Sequence, residues 1–378
     1  MSRLQIAINT RHWIPGQMEG IGRYVMNLAD RISKAHPEAD FHFIFDRKVK
    51  FNHDFPKNVS LHTVFPPARH VYVYPYWYNI GVSKLLKKIK ADIFLSLDNM
   101  YSLKCPCKGI TVIHDINFEH YPDNLPSNIS KYYRNNTPKF IEAASKVITV
   151  SQFSKDDIVS TYRADANKIE IVYNGLGSFF KPRTEKEKSE TRHKFSTGRP
   201  YFLILGSINP RKNVLRTIEA YAEFRKRSKE NIALLISGRP MWRGDETASL
   251  IEKTPFKEDV FFTGYLSDEQ LGQVVGAAEA LLYMSYFEGF GVPVIEAFAS
   301  GVPVVAGNRS VMPKTCGGAA LLTNPFDVSD IASALDKILE ENLRKELIAK
   351  GLERAKDFSW DKSAEKLWDI IQEVILKK

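Results

Sequence analysis

Glu288 and Glu296 stand with seven residues between them in the run SYFEGFGVPVIEA, residues 285–297. Two carboxylates at arbitrary spacing are ordinarily surface charges. These two are set among glycines and apolar residues, where a carboxylate can accept hydrogen bonds from sugar or ribose hydroxyls. Gly289 and Gly291 let the backbone come close to a ligand, and Pro293 suits the first turn of a helix. A second group lies in GSINPRKN, residues 206–213. The planar fork of Arg211 and the compact charge of Lys212 together suit a diphosphate, against the plainer reading of a solvated basic turn. Asn213 reads as the cap of the helix that follows. A third group is EGIGRY, residues 19–24. Gly20 and Gly22 open a helix whose free N–H groups face an anion. Alone it is a bare Gly-x-Gly, because Val25 holds the place of a third glycine. With Asp46 after the next strand it imitates a dinucleotide-binding fingerprint. The fourth is His114-Asp115 at a strand end. Adjacent strand residues point to opposite faces, so these two are not expected to bond each other. His114 reads as a ligand contact, against a satisfied, partly buried histidine.

The elements that must position these groups alternate along the chain. Strand-like apolar runs fall at 4–8, 41–45, 93–97, 110–113, 147–150 and 169–172. A second set falls at 202–205, 233–236, 260–262, 280–284, 303–305 and 319–321. Their near-continuous apolar character is that of parallel strands covered on both faces. Helical patterns at 21–35, 213–227, 268–278 and 330–341 lie between them. The fold class is therefore α/β, with two Rossmann-like doubly wound domains facing across a cleft. The charged stretch 181–200 lacks an apolar stripe and reads as a linker. The expected division is 1–180, linker 181–200, 201–358, and an amphipathic C-terminal helix at 359–378.

Composition narrows the class. The chain has 378 residues, too many for one core, with 44% apolar and 26% charged residues,. That excludes a disordered chain, a fibrous repeat or a disulfide scaffold. No apolar run approaches the length of a membrane span, and the N-terminus does not read as a signal peptide. Cys105-Pro106-Cys107 lacks the spacing of a zinc knuckle or a thioredoxin-type motif, and no second Cys or His pair completes it. With Cys316 the set is odd and sparse, so a reducing, cytoplasmic setting is expected. Residues 1–190 carry 27 basic against 19 acidic side chains, and residues 191–378 carry 26 against 25. The net charge of +9 thus sits almost wholly in the first half, the half expected to meet something anionic. The segment 70–90 adds Tyr72, Tyr74, Tyr76, Trp77 and Tyr78 beside Lys84, Lys87, Lys88 and Lys90. It reads either as a buried aromatic segment with a basic surface helix or as a platform for sugars and anionic lipid.

Together these residues resemble the retaining, nucleotide-sugar-dependent glycosyltransferases of family 4, which have the GT-B fold. The resemblance covers nearly the whole chain. It rests most on Glu288 and Glu296 within EGFGVPVIEAFASGVPVV. GIGRY at 20–24, His114-Asp115, SQFS at 151–154, Asn174-Gly175, Arg211-Lys212-Asn213 and FTGYL at 262–266 support it. The resemblance implies that Arg211 and Lys212 hold the donor diphosphate and that Glu296 binds the ribose hydroxyls. Glu288 contacts the transferred sugar. The backbone of Phe290 and Gly291 lies against sugar and phosphate, and Gly264, Tyr265 and Leu266 flank the base. Gly20 and Gly22 face the diphosphate from the other domain, and His114 approaches the reacting sugar. It implies transfer of a hexose with retention, by positioning and support of the leaving diphosphate. No Asp-x-Asp occurs, so no metal is expected. The donor expected is GDP-mannose, with UDP-hexoses close behind. The acceptor is a glycan or lipid-diphosphate-linked glycan of bacterial surface polysaccharide (O-antigen or capsule type). The enzyme is expected to be cytoplasmic, touching the inner face of the cell membrane through its basic half. A nicotinamide-dependent oxidoreductase is the alternative of another class. It leaves the glutamates and Arg211-Lys212 without a role. Nucleic acid is not an expected partner, since the charge is diffuse and no binding motif appears.

Overall fold

The computed structural model describes residues 3–16, 18–238, 249, 251–252 and 254–376. Seven parallel strands form the first sheet: β1 (Gln5–Asn9), β2 (Asp40–Phe45), β3 (Val59–Thr63), β4 (Ile93–Ser96), β5 (Lys108–Val112), β6 (Lys146–Thr149) and β7 (Ile169–Ile171). Their order is β3-β2-β1-β4-β5-β6-β7. Six more form the second: β8 (Tyr201–Leu205), β9 (Ala233–Ser237), β10 (Val260–Phe262), β11 (Ala280–Tyr283), β12 (Val304–Gly307) and β13 (Leu321–Thr323). Their order is β10-β9-β8-β11-β12-β13. The central strands carry apolar residues at successive positions because helices cover both faces. All five residues of β8 and of β9 are buried,. The register sets Leu203 between Leu235 and Leu281, and Ile6 between Phe41 and Ile93.

In each sheet the strand order reverses once, between β1 and β4 and between β8 and β11. The carboxyl ends flanking such a reversal leave a crevice where ligands bind in this class of sheet. The chain divides into two compact units, Met1–Gly175 with Ser359–Lys378, and Leu176–Phe358.

Three expectations are corrected. β3 was not foreseen, because VSLHT has no apolar run. It is a half-exposed edge strand that pairs only with β2. The pattern at 330–341 resolves into two helices, Val328–Lys337 and Glu341–Ala355. The stretch 181–200 lies inside the second unit instead of linking two. It holds a helix, Glu185–Ser196, begun by a reciprocal cap between Thr184 and Glu187,. Polar anchors fix it: Arg192 donates to Ala277 O at 3.1 Å and meets Glu279 at 2.8 Å. Attachment through charges, without an apolar stripe, is why its composition reads as a linker.

The last helix, Trp360–Leu376, packs on the first unit. Trp360 meets the Tyr24 ring at 5.8 Å, Ser363 donates to Tyr173 O at 2.8 Å, and Trp368 stacks on His36 at 3.5 Å. Gly175 makes this docking possible, since a Cβ there would strike the backbone N and ring of Trp360. Gly175→Ala is expected to lower stability by about 1–3 kcal/mol, read as a falling midpoint in denaturant with retained secondary structure.

Candidate functional site

In the second unit the loops after β8 and β11 bring four polar residues together. The chain leaves β8 and makes a short turn, Pro210–Lys212, capped by Asn209 Oδ1 accepting from Lys212 N at 3.3 Å. Asn213 does not cap the next helix with its side chain. It takes a left-handed conformation (φ 57°), and its Nδ2 donates to Pro325 O at 2.5 Å. The turn therefore presents Arg211 and Lys212 side by side. β11 ends at Tyr283, and the chain turns through Ser285 to Glu288.

Glu288 is the centre of the cluster and only 6% exposed. Arg211 Nη1 lies 2.6 Å from its Oε2, and Lys212 Nζ lies 2.7 Å from its Oε1. Ser285 Oγ donates to Oε1 at 2.8 Å, and Glu288 N donates to Ser310 Oγ at 3.0 Å. Burial by itself raises the carboxyl's pKa, but the charges of Arg211 and Lys212 outweigh it and bring the group to about 2,. Glu288 is thus a carboxylate at any ordinary pH. Lys212 Nζ also donates to Tyr283 Oη at 2.5 Å. Burial, with Glu288 next, holds the Tyr283 phenol well above its usual range.

Glu296 lies in the helix Val292–Ala299 and is 6% exposed. Its charge adds to the field that keeps Tyr283 protonated. Gly291 is the cap of that helix at φ 94°, in the left-handed region, and a Cβ there would strike the Met312 methyl,. Phe290 O accepts from Thr315 Oγ1 at 2.6 Å, and the Phe290 ring meets Phe358 edge-on at 5.3 Å. The helix start is thereby pinned with its leading N–H groups turned towards any anion at that end. Gly264, Tyr265 and Leu266 follow β10, two strands from β8, roughly 10 Å away at ~4.8 Å per strand. Gly264 is left-handed (φ 68°) with open space where a Cβ would be, Tyr265 is exposed and Leu266 is buried.

Tyr283 was missed in the sequence because an aromatic at a strand end reads as core. Its hydroxyl between Lys212 and Glu288 is visible only in three dimensions. Tyr283→Phe is expected to keep the fold and lower kcat by about 3–10-fold, the loss of one hydrogen bond, while the midpoint in denaturant moves little.

In the first unit the strand ends carry a second polar group. His114 follows β5. Its Nε2 lies 3.0 Å from Leu97 O, and its ring meets Tyr24 edge-on at 4.8 Å. Burial lowers its pKa, so it is a neutral imidazole donating to Leu97. Asp115 accepts from Asn117 N at 3.1 Å, as a turn cap and not as a partner of His114. Gly20 opens the helix Gly20–Ala35 with open space around it. Gly22 has a packing reason, because a Cβ would sit 2.5 Å from His12 O. Asp46 is buried and engaged by Arg47 at 2.6 and 2.7 Å and by Ala68 N at 3.0 Å. The carboxylate that imitated a ribose ligand is therefore a loop brace, and the dinucleotide reading loses its support.

The residues not foreseen here are Arg11, His12 and Asp98, which join Tyr78 of the aromatic segment. Arg11 Nε lies 2.5 Å from Asp98 Oδ2, Tyr78 Oη donates to the same oxygen at 2.9 Å, and Asn9 Nδ2 donates to Tyr78 Oη at 3.0 Å. His12 Nε2 stands 3.5 Å from Asp98 Oδ2 with 40% of its side chain exposed. Burial at its base and the charge of Arg11 keep its imidazole neutral. Thr10-Arg11-His12 follows β1 and Asp98-Asn99 follows β4. Their places beside the strand reversal were the available signal. Asp98→Asn leaves the Arg11 charge buried without its counterion. It is expected to cost about 3–5 kcal/mol, measured by denaturant unfolding. The aromatic segment at 70–90 divides: Trp77 and Tyr78 are buried, while Tyr72 and Tyr76 are exposed.

Residues 18–176 match the family model Glycosyltransferase Family 4, and residues 185–354 match Glycosyl transferases group 1. The chain is 30% identical over 256 residues to O-antigen chain mannosyltransferase B of Escherichia coli, covering 67% of each protein. Its fold is similar to that of WaaG, a glycosyltransferase involved in lipopolysaccharide biosynthesis. The TM-score is 0.78, at 21% identity over 97% of this chain and 99% of that one. It is similar too to Anabaena Alr3699/HepE in complex with UDP-glucose, with a TM-score of 0.75 at 17% identity over 98% of this chain and 100% of the other.

Proposed function

Since the chain belongs to glycosyltransferase family 4, with the two Rossmann-like units of the GT-B fold, we propose that it transfers mannose with retention from GDP-mannose to a glycan or lipid-diphosphate-linked glycan. The product belongs to bacterial surface polysaccharide. The observation that carries this reading is the buried Glu288 carboxylate gripped by Arg211 and Lys212 at 2.6 and 2.7 Å. Two adjacent cations held ready at a strand reversal are what a departing diphosphate requires. The O-antigen mannosyltransferase relative favours mannose. The UDP-glucose complex of a protein with this fold keeps UDP-hexose as the second reading.

The roles follow from the chemistry of each group. Arg211 and Lys212 take the diphosphate oxygens and stabilise the charge that grows as the glycosidic bond to phosphate breaks. The N–H groups after Phe290 and Gly291 add the positive end of a helix to the same oxygens. Glu296 accepts from the ribose hydroxyls. Glu288, ionised and fixed, accepts from the sugar's hydroxyls and stabilises positive charge developing on its ring. Bound to two cations, Glu288 is a poor covalent nucleophile, so attack proceeds on the face the leaving group vacates. The positive charge comes from side chains, so no metal is required. Gly264, Tyr265 and Leu266 flank the base, and Gly20, Gly22 and His114 are ligand contacts of the first unit. The basic charge of that unit, with exposed Tyr72 and Tyr76, suits peripheral attachment at the inner face of the cell membrane. No described helix is long and apolar enough to cross a membrane.

The test is a thermal-shift panel of nucleoside diphosphates and nucleotide sugars, without metal and then with magnesium. Ligands that bind the folded state raise its midpoint. A rise with GDP and GDP-mannose alone is the expected result. A rise with uridine compounds only moves the reading to UDP-hexose, and a rise with NAD alone overturns it.

A further inference from the structure

Cys105 and Cys107 flank Pro106 in the loop that enters β5, at the end of the first sheet opposite to the strand ends that carry Arg11 and Asp98. Glycosyl transfer gives them no role. Their Sγ atoms stand 3.7 Å apart, and Cys105 Sγ lies 3.4 Å from Cys107 O. Both are unbridged and half-buried, so a small reagent can reach them, whereas Cys316 is buried. Two peptide links keep their Cα atoms within roughly 7 Å of each other, close to the span a disulfide tolerates. Pro106 has a fixed φ, which limits the loop's freedom to part the thiols. The two thiols are also within hydrogen-bonding reach of each other. The hydrogen bond from Cys107 is the largest influence on Cys105. With the Tyr101 hydroxyl it overcomes burial and lowers that thiol to about 7. The donating Cys107 is raised in turn, by the same bond and by burial. One sulfur is thus the nucleophile and its neighbour the resolving thiol.

We propose that Cys105 and Cys107 form a reversible dithiol–disulfide site whose reactants are small disulfides of the glutathione class. The Cys105 thiolate attacks one sulfur of the small disulfide. One thiolate leaves, takes a proton, and a mixed disulfide remains on Cys105. Cys107 then loses its proton and attacks the Cys105 sulfur, releasing the second small thiol and closing the bridge. The two cysteines are oxidised by two electrons, and the small disulfide is reduced to two thiols. The bridge closes a small ring across one proline, so strain makes it readily reducible, the character of labile rather than structural disulfides. Lys108, the next residue, donates through Nζ to Val374 O at 3.0 Å and Ile375 O at 3.3 Å. The pair thus lies next to the contact between the last helix and β5.

The test uses the reduced full chain with oxidised glutathione, read by intact mass and by alkylation of mapped cysteines. The expected product has lost about 2 Da, the two thiol hydrogens. Alkylation of Cys105 and Cys107 falls together while Cys316 is unaffected, and dithiothreitol reverses both changes. Cys107→Ser is expected to stop at one glutathione on Cys105, which identifies the order of attack. A Cys105→Ser, Cys107→Ser variant with an unchanged thermal midpoint shows that the fold does not depend on the pair. Unchanged alkylation of both residues, or a parent that ends with glutathione on each cysteine and no loss of mass, overturns the proposal. These readouts do not involve sugar transfer, so they stand or fall apart from the proposed activity.

Discussion

Glu288→Gln is expected to lower turnover by about 10²–10³-fold while strengthening the response to nucleoside diphosphate. The amide keeps the shape and can still accept from Ser285. It removes the charge that holds Arg211 and Lys212 at 2.6 and 2.7 Å. Two partly buried cations without a carboxylate cost about 3–5 kcal/mol of stability. A bound diphosphate restores the missing negative charge, so GDP or UDP should raise the variant's thermal midpoint more than the parent's. Turnover is measured per folded enzyme, with donor saturating. If Glu288 only braces the loop, turnover at saturation stays at the parent value once the fold is secured. The same substitution tests acid stability. The folded carboxyl sits near 2 against an ordinary 4.5. Its depressed pKa contributes stability that is complete above the ordinary value and is lost as pH falls from 4.5 through 2. The contribution is about 3 kcal/mol. Denaturant midpoints followed down that window should fall in the parent and flatten in Glu288→Gln.

The second large effect is the loss of diphosphate recognition in Arg211→Ala with Lys212→Ala. Charge-assisted hydrogen bonds contribute about 1.5–3 kcal/mol each, so affinity for a nucleoside diphosphate should fall by at least about 100-fold. Affinity for the bare nucleoside should change little. The discriminating quantity is the ratio of the two, obtained by titration calorimetry on folded protein. A ratio equal to the parent's places the diphosphate elsewhere. Removing both cations also leaves Glu288 buried without a counterion, with Ser285 still donating to it, so its carboxyl rises instead of falling and the protein should gain stability towards acid relative to neutral pH. The single variants, each keeping one cation on Glu288, separate recognition from that structural loss.

Much of this site is legible in the residues, for reasons that differ along the chain. Glu288 and Glu296 announce themselves because acidic residues inside a glycine-rich apolar run have no surface role to play. Arg211 and Lys212 do so because they follow a strand of five apolar residues. The parallel strands are legible because a strand covered on both faces must be apolar at successive positions. β3 is not, since an edge strand is covered on few sides and VSLHT needs no apolar run. The helix Glu185–Ser196 is not legible as part of a domain either, because Arg192 anchors it to Ala277 and Glu279 through polar contacts that composition counts as linker.

The sequence by itself determined the fold class, the family and the local groups at each strand end, because these depend on residue types and short spacings. The tertiary structure alone decided which groups share a charge. It placed Tyr283 between Lys212 and Glu288, Asp98 against Arg11 across 87 residues of chain, and Asp46 against Arg47 and Ala68 in place of a ribose. It also left Asn213 without a side-chain cap bond to its helix, with its Nδ2 on Pro325 O. The pairings that cross from strand to strand, as Asp98 with Arg11 does, are set by the order of strands in the sheet. No spacing along the chain encodes them, since the crossovers that bring two strand ends together differ in length without changing where those ends meet.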